Sequence, residues 1–258
     1  MKNKGIPIYI GTSNQPCDRI QEQILVYTLQ KNTRAKLDIH FLRANDFPGV
    51  SSTGWGTPFT GLRYAIPMLQ RNKGKAIYMD MDMINFRDIE EYYNINLYGK
   101  PFGMCWDAAQ FNKKNPTQPG SFCDSMMLID CGKTDQFFHW NEILDWRWST
   151  AFKWTFMERI AKWEDKKDRQ KNDVVIKIDS RWNSFDGSIT DEPVSPHRPE
   201  WWDKPQYELD MIFHLHLTAL SYQPWHSKYL HAAKATHYRK DITDYWWKLV
   251  DEVRSLEV

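Results

Sequence analysis

No run of about 18 apolar residues occurs in this chain of 258, so no segment reads as a bilayer-spanning helix. Charge of one sign is missing too. Lys and Arg number 34 against 33 Asp and Glu, a formal balance of +1, and without a long-range basic field nucleic acid is not expected as a partner. Cysteine is scarce: Cys17, Cys105, Cys123 and Cys131 form no CxxC pair and show no zinc spacing. That argues for reduced thiols in a cytosolic compartment, some of them buried. The start, Met1-Lys2-Asn3-Lys4-Gly5-Ile6, is basic but has no apolar stretch of signal-peptide length, so the expected location is cytoplasmic. What the chain has in excess is tryptophan, 13 residues within a 15% aromatic share. A flat ring with one N–H donor suits cores, sugar faces and membrane interfaces alike, so composition does not choose among them.

The length suits one large domain or two small ones, with a buried core. Ile6-Pro7-Ile8-Tyr9-Ile10 is an apolar β-rich run halted by Gly11-Thr12-Ser13-Asn14 and predicts a first strand. Ile20, Ile24 and Tyr27 fall at helical intervals from about Asp18 to Leu29, with Asp18 as N-cap. A second strand is expected at Leu37–Leu42, a helical stretch at Thr60–Gln70, and a third strand at Ala76–Met79, stopped by Asp80-Met81-Asp82. Phe102–Cys105 and Met126–Ile129 look like further strands. Such alternation predicts an α/β fold, a sheet with helices on both faces. Ligands of such sheets lie beyond the carboxyl ends of the strands, where Gly11-Thr12, Asp80 with Asp82, and Asp107 all stand. The region from about Thr134 to Arg169 reads as a helical elaboration, and the tail from Asp241 as an amphipathic C-terminal helix. Its stripe of Ile242, Tyr245, Trp246, Leu249, Val250 and Val253 suits core or dimer contact, while peripheral contact with a bilayer stays open.

Asp80 and Asp82 lie two residues apart directly behind an apolar strand. If the pleat persists, both carboxylates point to one side and can share a hard cation such as Mg²⁺ or Mn²⁺. Such a cation assists departure of a diphosphate, whose growing charge must be neutralised as the bond breaks. An isolated Asp-x-Asp also fits a solvated strand end, so the neighbours decide.

Those neighbours are Ile77-Tyr78-Met79 before the aspartates, then Met83-Ile84 and Arg87-Asp88-Ile89 after them. Further pieces are Arg63-Tyr64-Ala65-Ile66-Pro67, Cys105-Trp106-Asp107, Asp124-Ser125-Met126-Met127-Leu128-Ile129-Asp130, Arg181-Trp182-Asn183 and His216 through Gln223-Pro224-Trp225. In order and spacing, over about residues 6 to 226, the set resembles glycosyltransferase family 8, the glycogenin-like enzymes with a GT-A fold. The resemblance implies a single GT-A-like nucleotide-sugar-binding domain over residues 1–258, with a mostly parallel mixed sheet flanked by helices, taking a UDP-sugar donor and Mn²⁺ or Mg²⁺ and transferring with retention. It implies Asp80, Asp82 and His216 as metal ligands, and Arg63 with Tyr9, Gly11 and Thr12 against the nucleotide. Asp107, Asp124 and Ser125 would hold the donor sugar. The acceptor, whether carbohydrate, lipid-linked or protein, is not named by any motif.

Several positions depart from the family pattern. Met126 replaces a glycine, and one extra residue separates His216 from Trp225. Gln223 stands where a lysine would hold the diphosphate, which a neutral amide does without charge, leaving neutralisation to Lys228 or to the metal. Lys171-Asn172-Asp173 keeps only part of an acidic segment usual near the reacting sugar. His214 would share a strand face with His216 and is the rival ligand. Trp140, Trp146, Trp148, Trp154, Trp201 and Trp202 suit sugar stacking or aromatic packing. Two other functions would use similar residues. A nucleotidyltransferase also needs paired carboxylates, but its Gly-rich basic loop has no counterpart in Gly11-Thr12-Ser13-Asn14, and a carbohydrate-binding module leaves the aspartates and histidine unexplained.

Overall fold

A computed structural model describes residues 5–13, 15–48, 50, 57–107, 121–135, 174–192, 204–219, 222–225 and 237–256. Its centre is a six-stranded sheet. The strands are β1 (Ile6–Thr12), β2 (Leu37–Arg43), β3 (Lys75–Asp80), β5 (Phe102–Asp107), β6 (Ser121–Asp130) and β7 (Val175–Ile178), in the order β2-β1-β3-β6-β5-β7. β1 runs parallel to β2 and β3, β7 runs parallel to β5, and β6 alone runs against its neighbours. Every residue of β1 is buried, as expected for a central strand covered on both faces, which is why it reads as one apolar run. The pairing of β1 with β3 sets Gly11 opposite Asp80 at their carboxyl ends.

A second, three-stranded sheet joins β4 (Met83–Asn85), β9 (His214–His216) and β8 (Ser184–Phe185). β4 was not among the expected strands, because three residues are too few to show a period. Its antiparallel pairing with β9 sets Met83 opposite His216 and Asn85 opposite His214.

Helix α1 (Arg19–Asn32) buries Ile24, Leu25 and Leu29, and α4 (Lys240–Ser255) buries Ile242, Trp246, Leu249, Val250 and Val253 in the same apolar cluster. The C-terminal stripe is therefore core. The expected helix over Thr60–Gln70 is instead a 3-10 segment, Thr60–Ala65, followed by the single turn α2 (Ile66–Leu69). Pro67 cannot donate to the carbonyl four residues back, so an uninterrupted α ladder is denied there. A further short helix, α3 (Ile89–Tyr93), is capped: Asp88 accepts from the Glu90 N–H. Asp18 does not cap α1; its carboxylate accepts from Trp225 Nε1 at 3.0 Å and from Ser13 Oγ. Of the elaboration expected at 134–169, only Thr134 and Asp135 lie among the described residues. Trp140, Trp146, Trp148, Trp154, Trp201, Trp202, Lys171, Asn172, Asp173 and Lys228 lie outside them. Among the described residues no helix is long and apolar enough to cross a membrane.

Candidate active site

The end of β3 and the first pair of the small sheet meet at one point. Asp80 closes β3, Asp82 follows in the turn, and the β4–β9 register delivers His216 beside them. One ligand atom from each of the three lies within 4.8 Å of the others. His216 Nε2 stands 3.2 Å from Asp82 Oδ1. The other ring nitrogen faces Asn183 Oδ1 at 3.2 Å, while Asn183 Nδ2 donates to Ser125 Oγ at 2.9 Å. With its nitrogen on Ser125, the Asn183 amide offers its oxygen to the ring, so Nδ1 carries a hydrogen and Nε2 is the nitrogen turned to Asp82. Asp82 Oδ1 is buried and has no hydrogen-bond partner. A carboxylate oxygen and a ring nitrogen at this range hold a proton or a cation between them. Two carboxylates and one imidazole are a donor set that fits a divalent cation once that proton leaves.

His214, one pleat along β9, is placed on Asn85 at 3.1 Å through Nδ1. Burial, reinforced by His216, depresses its pKa to about 3, so it stays neutral. It stands outside the Asp80–Asp82–His216 group.

Arg63 is buried behind the aspartates. Its guanidinium lies 3.3 Å from Asp80 Oδ1, 2.9 Å from Asp124 Oδ1 and over the Tyr78 ring at 4.5 Å. Tyr78 donates its hydroxyl hydrogen to Asp80, and Tyr64 donates to Asp124 Oδ2 at 3.1 Å. Burial pushes the Asp80 pKa up to about 6, Asp82 adds to this, and Arg63 and His216 oppose it. Burial pulls His216 down, but Asp82 and Asp80 outweigh it, and the net shift is upward.

On β1, Tyr9 stacks on His40 with centroids 4.9 Å apart, and its hydroxyl accepts from Gln70 at 2.8 Å. Thr12 is fully buried and donates to Glu22 at 2.6 Å. Gly11 has a reason beyond ligand access: a Cβ there would strike the Tyr78 hydroxyl and meet Phe59 at 2.9 Å. Asp107, at the end of β5, is paired at 2.5 Å with Lys204, a buried cation the sequence did not point to. Gln21 was equally invisible as a function. Its amide nitrogen donates to the carbonyls of Met81 (3.1 Å) and Met83 (2.8 Å), on either side of Asp82, and its oxygen accepts from Trp246 Nε1 at 2.8 Å. A glutamine on a helix face carries no motif; only the packing of α4 on α1 reveals it.

Residues 18–131 match the model of glycosyl transferase family 8. Over this segment the chain is similar to that family. Solved glycosyltransferases share its fold. The galactosyltransferase LgtC, solved with donor and acceptor sugar analogs, superposes with a TM-score of 0.58 at 11% identity, covering 96% of each chain. The bifunctional glycosyltransferase WbbM gives 0.59 at 13%, covering 98% of this chain but 52% of its own, so this chain spans about half of that protein. Mouse xyloside xylosyltransferase 1 gives 0.50 at 12%, covering 83% of this chain and 98% of that one. At such identities the likeness shows the fold, a GT-A-like α/β fold with a mixed, mostly parallel sheet. No curated protein sequence matches. Family and fold together mark a glycosyltransferase domain, with Asp80, Asp82 and His216 at the carboxyl edge of its sheet.

Proposed function

We propose that this chain is a single-domain, metal-dependent, retaining glycosyltransferase that moves a sugar, a hexose by family resemblance, from a UDP-linked donor to a carbohydrate, lipid-linked or protein acceptor. The observation that carries the reading is the cluster of Asp80, Asp82 and His216, with the buried Asp82 Oδ1 facing His216 Nε2 at 3.2 Å. Asp80, Asp82 and His216 would hold Mn²⁺ or Mg²⁺, which when bound supplies charge neutralisation for a diphosphate leaving group. Asn183 orients the imidazole, and Arg63 holds Asp80 against the opposing charge of Asp82. By the family resemblance, Tyr9, Gly11 and Thr12 on β1 take the nucleotide together with Arg63. Asp124 and Ser125 on β6, with Asp107 on β5, take the donor sugar. The acceptor proton goes to the leaving phosphate oxygen in a front-face transfer, so no dedicated base is required. Cytoplasmic location belongs to the same proposal.

The test is calorimetry with Mn²⁺, then with UDP-sugars in its presence, followed by product analysis. Tight binding of a UDP-sugar only with Mn²⁺, with release of UDP, supports the reading. Release of pyrophosphate from UTP and a sugar phosphate would instead mark a nucleotidyltransferase. Sugar binding that is indifferent to Mn²⁺ and to nucleotide would mark a binding module.

A further inference from the structure

Gln223 holds a position from which the family resemblance implies contact with the diphosphate, yet its hydrogens are already placed. The side chain is 3% exposed, and Nε2 donates to Asp82 Oδ2 at 3.0 Å and to the Leu217 carbonyl at 2.7 Å. A carboxamide nitrogen has two hydrogens, and both are used. The amide cannot be turned over, because both partners are acceptors and only the nitrogen end can face them. Leu217 completes a closed ring by donating its own N–H to the Asp82 carbonyl at 2.8 Å. The segment leaving His216 is thus tied to Asp82 through backbone and side chain together. Asp82 has one oxygen occupied by this bond and the other, Oδ1, turned to His216.

We propose that Gln223 is a positioning residue for the cation site: it fixes the Asp82 carboxylate so that Oδ1 faces the cation, and it is not a ligand of the diphosphate. This rests on the metal-dependent reading given above. A consequence is that, among the described residues, no lysine replaces the family's phosphate-facing cation in this element, so nucleotide affinity should lean heavily on the metal.

Three measurements test it: Mn²⁺ binding to the free protein, UDP binding in chelator, and UDP binding at saturating Mn²⁺. They are made on wild type and on Gln223→Met, which keeps the length but loses both donors. The Mn²⁺ Kd of Gln223→Met is expected to rise about ten- to a hundred-fold, the range for removal of a group that orients a ligand. UDP affinity in chelator should be unchanged, and UDP affinity at saturating Mn²⁺ should recover to near the wild-type value. An unchanged Mn²⁺ Kd together with weaker UDP binding in chelator overturns the proposal and makes Gln223 a phosphate contact. Unchanged values throughout also overturn it. If wild type itself fails to bind Mn²⁺, the metal-dependent reading falls, and this inference with it. Should Gln223→Met fail to fold, Gln223→Asn, one methylene short of both acceptors, is read by the same three measurements.

Discussion

Asp80 sits in a place that prefers it protonated, and that has consequences for stability as well as for binding. Its folded pKa of about 6 exceeds the ordinary 3.8, so its contribution favours the folded chain fully below about 3.8 and is lost as pH rises through about 6. Asp80→Asn is therefore expected to melt higher than wild type in chelator at pH 7.5, with the difference closing toward pH 4, and to lose Mn²⁺ binding. A lower melting temperature than wild type at pH 7.5 would contradict this account of the carboxylate. The same protons govern metal affinity. His216 must be neutral and Asp80 ionised to bind, and both pKa values are raised, so Mn²⁺ affinity should fall steadily from pH 8 to pH 5.5. Each displaced proton adds up to about ten-fold per pH unit. Calorimetry across that range checks it, and a flat profile would remove both groups from the site. Gly11 gives a separate test: Gly11→Ala should cost about 1–3 kcal/mol by overpacking, because its Cβ strikes the Tyr78 hydroxyl. In a Tyr78→Phe background that cost should shrink, and urea melts of the four proteins measure the coupling. The aspartates were legible from sequence because two carboxylates two residues apart need no folding to be seen together. The pairings of Asp107 with Lys204 and of Gln223 with Asp82 were not, because nothing local announces a partner far along the chain.

Helix α4 shows how a segment remote from the aspartates supports them. Trp246 is buried, stacks on Trp225 with centroids 6.2 Å apart, and donates to Gln21, which in turn holds the carbonyls flanking Asp82. Trp246→Ala should cost about 3–5 kcal/mol of stability, and Trp246→Phe less. Both leave Gln21 Oε1 without its donor and should weaken Mn²⁺ binding relative to a control such as Leu249→Ala. Equal Mn²⁺ affinity in the three variants, at temperatures where all are folded, would show that the helix supplies stability alone. The periodic stripe makes this helix legible in the linear chain, since spacing at 3.6 residues is a property of the segment. β4 is illegible there for the opposite reason: three residues become a strand only because β9 pairs with them.

In the chain taken together, residues that arrive late in the sequence tie back to the ends of earlier strands. Asp107 and Lys204 make a pair 2.5 Å apart with side chains 11% and 3% exposed, and the Lys204 ammonium also donates to the Thr190 carbonyl. Lys204→Met would remove the ammonium from a buried ion pair and should cost about 3–5 kcal/mol, read as a shift of the urea midpoint. A shift of only a few tenths would mean that water reaches Asp107 and the pair is a surface one. The α/β class, the order of the first strands, the Asp-x-Asp and the family resemblance were all present in the linear chain, because strand periods, stop signals and short motifs are contiguous. The choice between His214 and His216 as neighbour of the aspartates came from the β4–β9 register, which sets Met83 across from His216 and Asn85 across from His214. Register is a property of two segments in contact, and a strand of alternating histidines and leucine is compatible with either until its partner is in place.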